Sequence, residues 1–134
     1  PRLIEKIKEG YDMVHLSRFG KNSSSQDADD YFYGHFGNNM FTFLVNVFFG
    51  GNYTDSLNGF RIFKRDAFER LETQSESLTI DQETYIRALK KKLKFCEIDG
   101  DEPSRIGGER KMKPVSTGAQ LSWQIIKEFI YWKK

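Results

Sequence analysis

The sequence predicts an α/β domain, and three features carry that expectation. Segments with helical periodicity alternate with short apolar runs of strand type. Glycine marks several of the junctions between them, at Gly10, Gly50-Gly51, Gly59 and Gly100. Hydrophobic residues make up 38% of the 134 positions and include twelve phenylalanines, enough for one core of modest size.

The elements follow in order. Pro1 to Glu9 reads as a helix with proline in its first turn, Leu3, Ile4 and Ile7 on one face, and Gly10 as its stop. Met13 to Leu16 is a short buried strand. Residues 19–34 turn polar, with three consecutive serines and Asp27, Asp29 and Asp30, and read as a mobile loop. Phe36 to Phe49 is a helix apolar on most sides, ending at Gly50-Gly51. Thr54 to Asn58 is a tight polar stretch. Phe60 to Phe63 alternates like a strand. Asp66 to Leu71 is a short helix, and a loop follows it. A further helix starts at Thr79 and runs through Leu89, and Leu93 to Ile98 is a strand. Residues 100–117, rich in glycine and charge, form a second long loop of the kind that is usually functional or disordered. Gly118 to Lys134 is the last helix, with Leu121, Ile125 and Phe129 expected to cover the sheet. The whole, residues 1–134, is expected to be a single domain.

Charge and composition narrow the function. Basic and acidic residues number 21 and 19, a net charge of +2, which argues against a dedicated nucleic-acid binder. The run Lys90, Lys91, Lys92 and Lys94 reads as the solvated face and end of a helix. The single cysteine, Cys96, excludes an internal disulfide; it is expected as a small buried hydrophobe, and a reducing cytoplasmic setting is the natural reading. His15 and His35 have no partner at metal-ligand spacing, and His15 is expected in the core. No run reaches the length of a membrane span. The chain opens on a helix without an initiator methionine, as a fragment would.

Four constellations could carry chemistry. Asp55 sits at a strand mouth beside Gly59 and Arg61, where an oriented carboxylate can act as a base or can simply close an Asx turn. Arg105, Gly107, Gly108 and Lys111 lie in a loop whose paired glycines let backbone amides approach an anion while basic side chains clamp it. Asp81 and Glu83 open a helix, where the dipole alone accounts for them. Asp27-Ala28-Asp29-Asp30 has a metal-binding look but lies in a serine-rich loop with no apolar strand leading into it. No metal is expected on this chain.

The order of these pieces resembles family 2 glycosyltransferases of the GT-A fold. Tyr11 to Arg18 is similar to the family's "Asp-hydrophobic-Val-x-Gly-Ser-Arg". Phe36 to Gly50 is similar to the long helix that follows it, and Thr54 to Phe63 to "Thr-Asp-x-x-x-Gly-Phe-Arg-x-Phe". Asp81 to Ala88 resembles the acidic helix start. Glu97 to Lys111 resembles the closing "Glu-hydrophobic-Pro" and "Arg-x-Gly-Gly-Glu-Ser-Lys". Polyprenyl-phosphate sugar transferases and bacterial cell-surface polysaccharide enzymes are the most similar groups.

The resemblance implies a partial GT-A fold: the C-terminal, acceptor-side half, lacking the N-terminal nucleotide-binding half. It implies an inverting transfer of sugar from a nucleotide-diphospho-sugar to a lipid-phosphate or saccharide acceptor, in cell-surface polysaccharide or glycolipid synthesis. Asp55 then matches the base or acceptor-orienting carboxylate. Arg18 and Arg105 match phosphate-contacting arginines, Arg61 lies in the same pocket motif, and Lys111 closes the last loop. Ser17, Gly59, Glu83, Gly107 and Gly108 support them. Mg²⁺ or Mn²⁺ is implied for the full-length enzyme, on residues upstream of Pro1. The chain departs from the pattern at Leu16 and Arg110, near Asp99, and at His35, which stands where relatives carry arginine.

The aromatic and basic end of the last helix, with Trp123, Tyr131 and Trp132, also suits the inner face of a membrane. Two rival readings accompany the transferase: a non-catalytic phosphate- or nucleic-acid-binding module built on residues 105–113, and a degenerate domain that kept only the scaffold.

Overall fold

A computed structural model describes residues 1–21, 35–101, 106–107 and 113–131 of the chain. Among them, five helices surround a three-stranded mixed sheet, so the α/β class stands. Helix α1 (Arg2–Lys8) leads to β1 (Met13–Ser17), α2 (Phe36–Phe49) and β2 (Arg61–Phe63). Then come α3 (Arg65–Leu71), α4 (Thr79–Lys90), β3 (Phe95–Asp99) and α5 (Pro114–Ile130).

Strand β1 lies at the centre, antiparallel to β2 and parallel to β3. The register pairs His15 with Arg61 on one side and with Glu97 on the other. Paired residues on neighbouring strands share a face of a pleated sheet. Three polar side chains are thereby set in one row across the middle of the sheet, two residues from the Ser17–Asp99 pair at its end.

The core joins Met13 of β1 to Phe41, Val45 and Phe49 of α2, Tyr85 and Ile86 of α4, and Leu121 and Ile125 of α5. Helix α1 buries no residue completely and packs on β1 and β2. Gly50 closes α2 in the left-handed conformation at φ 72°, a region that glycine enters without steric cost. A side chain at Gly51 would run into Leu89 and Asn46. The glycine pair therefore lets the chain turn tightly beneath α4.

The structure corrects four expectations about this half of the molecule. Helix α5 begins at Pro114, not Gly118, because proline at the first helical position needs no hydrogen-bond partner for its missing N–H. Helix α5 packs on α4 and α2 rather than on the sheet; Leu121 and Ile125 are buried, while Phe129 is about half exposed. Lys90 is not solvated: its side chain is 6% exposed and its Nζ lies 2.5 Å from Glu128 Oε2. Cys96 is only partly buried in β3, and burial pushes its thiol up. Most of the two expected loops, at 22–34, 102–105 and 108–112, lies outside the described residues.

A buried ion network fixes α5 to α4. Arg87 Nη2 lies 2.8 Å from Glu83 Oε1 and 3.1 Å from Glu128 Oε1. Its Nη1 donates to the carbonyls of Leu71 and Glu72, closing the C-terminal end of α3. Both glutamates are buried, so each depends on its cation. Arg87→Met keeps the hydrophobic stem and leaves Glu83 without its cation and Glu128 with Lys90 alone. We expect a loss of about 3–5 kcal/mol in urea-unfolding free energy, and a loss below about 1 kcal/mol would contradict the network's role.

Candidate active site

The site begins at the C-terminal end of β1. Asp55 is completely buried. Its Oδ2 accepts from Arg18 Nε at 2.8 Å and from the Arg18 backbone amide at 3.2 Å. Its Oδ1 accepts from Arg18 Nη2 at 3.2 Å and from the Leu57 amide at 3.3 Å. This is a two-pronged guanidinium–carboxylate pair, a geometry that adds directional specificity to charge attraction. The Asx-turn bond to Leu57 and the pairing with Arg18 coexist on one side chain.

A second chain of hydrogen bonds runs beside the first. His15 Nε2 lies 2.9 Å from Glu97 Oε2. The other carboxylate oxygen of Glu97 accepts from the Thr54 hydroxyl, and Oε2 also accepts from the Thr54 amide at 2.9 Å. Ser17 Oγ is bonded to Thr54 Oγ1 and itself accepts from the Phe19 amide at 3.1 Å. With the Thr54 proton directed at Glu97, Ser17 is the donor of the pair. The segment from Tyr53 to Asp55 is thus pinned to two strands at once. Asn46 adds a third clamp, exchanging two hydrogen bonds with the Tyr53 backbone at 2.8 and 2.9 Å.

Arg61 occupies the neighbouring position. Its Nη1 lies 2.6 Å from Asp81 Oδ1 and donates to the Asn58 carbonyl at 3.3 Å. The guanidinium lies 5.7 Å from the Tyr85 ring centroid. Tyr85 OH donates to the same Asn58 carbonyl at 2.8 Å. The rings of His15, Tyr53 and Tyr85 meet edge to face with centroids 4.9–5.4 Å apart. Burial pushes the Tyr85 hydroxyl far up; Asp55, Asp81 and Glu97 add to the rise and Arg61 opposes it. Tyr85 therefore feels both the Asp55 and the Arg61 ends of the site as a neutral, buried hub.

A cleft of about 540 Å³ opens against this frame. Arg18, Phe19, Gly20 and Thr54 line it together with His35, Asn39 and Phe43 from the α2 side. Arg18 is 20% exposed, while the carboxylate that holds it is not exposed at all. A planar cation whose orientation is set by a buried carboxylate can meet an anionic oxygen without paying the usual ordering cost of a free side chain.

The residues anticipated from sequence are distributed as follows. Asp55 and Arg18 come together, with Arg18 in the cleft lining and Asp55 buried behind it, and Ser17 reaches the lining through Thr54; Arg61 does not line the cleft, its guanidinium going to Asp81 and the Asn58 carbonyl. Gly59 sits beside the Asp81 carboxylate, with ordinary room for a Cβ. Glu83 is elsewhere in function: fully buried, it accepts from the Gln74 and Ser75 amides at 3.0 and 2.8 Å and pairs with Arg87. Gly107 has open space around its Cα. Arg105, Gly108 and Lys111 lie outside the described residues, as do Asp27 and Asp29. Among the described residues, no three His, Cys, Asp or Glu side chains are grouped as a metal would need.

Sequence reading missed Glu97, His15 and Thr54 as a connected set. The available signal was a glutamate and a histidine each embedded in an apolar strand, where an unpaired charge is costly.

Comparison with known proteins bears on this arrangement. The chain is 30% identical over 98 residues to the low-salt glycan biosynthesis hexosyltransferase Agl6 of Haloferax volcanii, a match covering 72% of this chain. The chain is related to a glycosyltransferase. It spans about a quarter, 24%, of that relative's length. No family model matches the chain. No solved structure matches it.

The site has a defined pH response. Burial pushes the Glu97 carboxyl up, but hydrogen bonds from His15 and from the Thr54 hydroxyl and amide outweigh it, and the net shift is below the ordinary 4.5. A carboxylate lowered on folding adds stability that is present above the unfolded value and lost as pH falls through the folded one. Thermal melts from pH 7 to pH 3 should show a falling Tm below about pH 4.5, and Glu97→Gln should flatten that fall. Identical slopes for the two proteins would remove Glu97 as its source.

Proposed function

We propose that this chain forms the acceptor-side half of a family 2, GT-A type glycosyltransferase acting in glycan synthesis. Its substrates in this reading are a nucleotide-diphospho-sugar donor and a lipid-phosphate or saccharide acceptor, and its outcome is inversion at the anomeric carbon. The observation that carries the reading is the buried Asp55 presenting Arg18 to a cleft, in a chain related to a hexosyltransferase.

The chemistry follows from what sugar transfer demands. The departing diphosphate develops negative charge, which a pre-oriented cation stabilises without reorganising during the reaction. Arg18 supplies that cation. Asp55, expected as the base or acceptor-orienting carboxylate, is here given a different part, locking the Arg18 fork, since both carboxylate oxygens are engaged. Thr54, held by Glu97 and Ser17, offers its hydroxyl oxygen in the cleft lining. Arg61, outside the cleft lining and paired with Asp81, is given a supporting part on the neighbouring strand, and Arg105, Gly107, Gly108 and Lys111 are assigned to the same anion as Arg18. Divalent metal is assigned to residues upstream of this chain, where it would help neutralise the diphosphate; no side chain described above is given a ligand's role.

The test uses the full-length protein. A panel of nucleoside-diphosphate hexoses with Mg²⁺ or Mn²⁺ should yield turnover with at least one donor, and the isolated 134 residues should yield none. Arg18→Lys keeps the charge but loses the two-pronged fit, so kcat/KM should fall about 10²-fold while cooperative unfolding persists. Turnover by the isolated chain, or an Arg18→Lys enzyme within about twofold of the parent, would defeat the assignment.

A further inference from the structure

A single line of hydrogen bonds joins Phe19, Ser17, Thr54 and Glu97. The Phe19 amide donates to Ser17 Oγ at 3.1 Å, Ser17 Oγ is bonded to Thr54 Oγ1, and the Thr54 hydroxyl donates to Glu97 Oε1. The sense of the line is fixed at both ends. A backbone amide can only donate, and an ionised carboxylate can only accept. Glu97 is held in its ionised form by His15 Nε2 and by the Thr54 amide, each at 2.9 Å, and these partners draw its carboxyl below the ordinary 4.5 in spite of burial.

Proton counting then settles what Thr54 shows to the cleft. A hydroxyl has one proton to donate and two lone pairs to accept with. The proton of Thr54 lies toward Glu97, so that of Ser17 lies toward Thr54. One lone pair of Thr54 Oγ1 receives Ser17, and the other is left. Thr54 is exposed and lines the cleft of about 540 Å³ beside Arg18. Toward a ligand in that cleft, Thr54 is a hydrogen-bond acceptor only.

An acceptor-only point selects by proton content. An ionised phosphate or carboxylate oxygen has no proton to offer, and two acceptors brought together repel. A ligand hydroxyl has the proton that is needed. The rest of the lining agrees with a neutral ligand rich in hydroxyls. Helix α2, which contributes Asn39, Thr42 and Phe43, carries no charged residue. Phe19 and Phe43 place aromatic rings in the same lining as the Asn39 amide, and apolar faces with a few placed polar groups suit a pyranose ring. The Phe19 ring is itself set edge to face against His35, with centroids 4.4 Å apart.

We propose that Thr54 is a specificity-determining residue that accepts a hydrogen bond from one hydroxyl of a sugar bound in the Arg18 cleft. Glu97 and Ser17 are its positioning residues, because they fix where its proton lies. The choice of a sugar as the ligand rests on the transferase reading; the acceptor-only character of Thr54 does not. The hydroxyl belongs either to the acceptor saccharide or to the hexose of the nucleotide-diphospho-sugar donor.

Ligand-detected NMR titration of the full-length protein tests the assignment with two sets of sugars. One set holds the methyl glycosides of glucose, mannose and galactose, and the other the nucleoside-diphosphate esters of the same hexoses, each with its monodeoxy and monodeoxyfluoro analogues. At one ring position, the deoxy and the deoxyfluoro analogue should both bind about tenfold more weakly than the parent sugar, since fluorine accepts a hydrogen bond but has no proton to donate. Thr54→Val should weaken the parent by a similar factor and leave those two analogues unchanged, and Thr54→Ser should keep the parent's affinity. An effect on the methyl glycosides assigns the hydroxyl to the acceptor saccharide, and an effect confined to the nucleotide sugars assigns it to the donor. Circular dichroism checks that Thr54→Val folds; if it does not, the deoxy and deoxyfluoro comparison on the unaltered protein decides. Deoxyfluoro analogues that match their parents at every position overturn the proposal, as does a folded Thr54→Val that binds the parent unchanged, or a lack of binding by every sugar in both sets. Hydroxyl selection without turnover from any donor removes the transferase reading alone, and turnover without hydroxyl selection removes the role of Thr54 alone.

Discussion

A carboxylate removed from water must be met by a cation, and in this protein Asp55 is met by Arg18. The rest of the cleft is arranged around that necessity. The pair ties the end of β1 to the segment after α2, two pieces 37 residues apart in sequence. The Arg18 backbone amide joins its own side chain on the same carboxylate. Rotation of the guanidinium is thereby coupled to the course of the main chain, and the cation has one direction in which to point.

The remaining polar groups of the sheet repeat the same logic. His15, Arg61 and Glu97 share a row because the register places them there. Thr54 meets Glu97 and Asp81 meets Arg61, while His15 bonds Glu97 through Nε2 and leaves its buried Nδ1 without a hydrogen-bond partner. The aromatic rings of Tyr53 and Tyr85 pack edge to face against the His15 ring. A low local dielectric strengthens every paired interaction in such a setting and raises the cost of breaking one. A cleft whose lining is held this way is rigid before any ligand arrives, which is the condition electrostatic catalysis requires.

Much of the fold was legible in the sequence, and for physical reasons. Glycine and proline marked the ends of α1 and α2, and alternating or apolar runs marked the three strands, because those residues constrain the backbone locally. The start of α5 was misplaced by four residues, from Gly118 to Pro114, since Gly118 looks like a boundary and is in fact a tolerated interior residue. Side-chain partnerships were less visible. Asp55 and Arg18 could be named separately as candidates, but nothing local says that they bond each other. Glu83 and Lys90 were read as a dipole-compensating acid and a solvated base because helix position alone implies that. Their burial depends on Arg87 and on Glu128, which arrives from a helix 38 residues later.

The attachment of the stretch between α3 and α4 also has a bearing on evolutionary drift. That stretch is held to α4 by one glutamate side chain accepting from two main-chain amides, Gln74 and Ser75, and by Arg87 donating to the carbonyls at the end of α3. Proline aside, neither contact depends on which side chains stand at the positions that provide those backbone groups. Side-chain substitutions at Gln74 and Ser75 therefore leave this attachment intact, while Glu83 and Arg87 have to be inherited together.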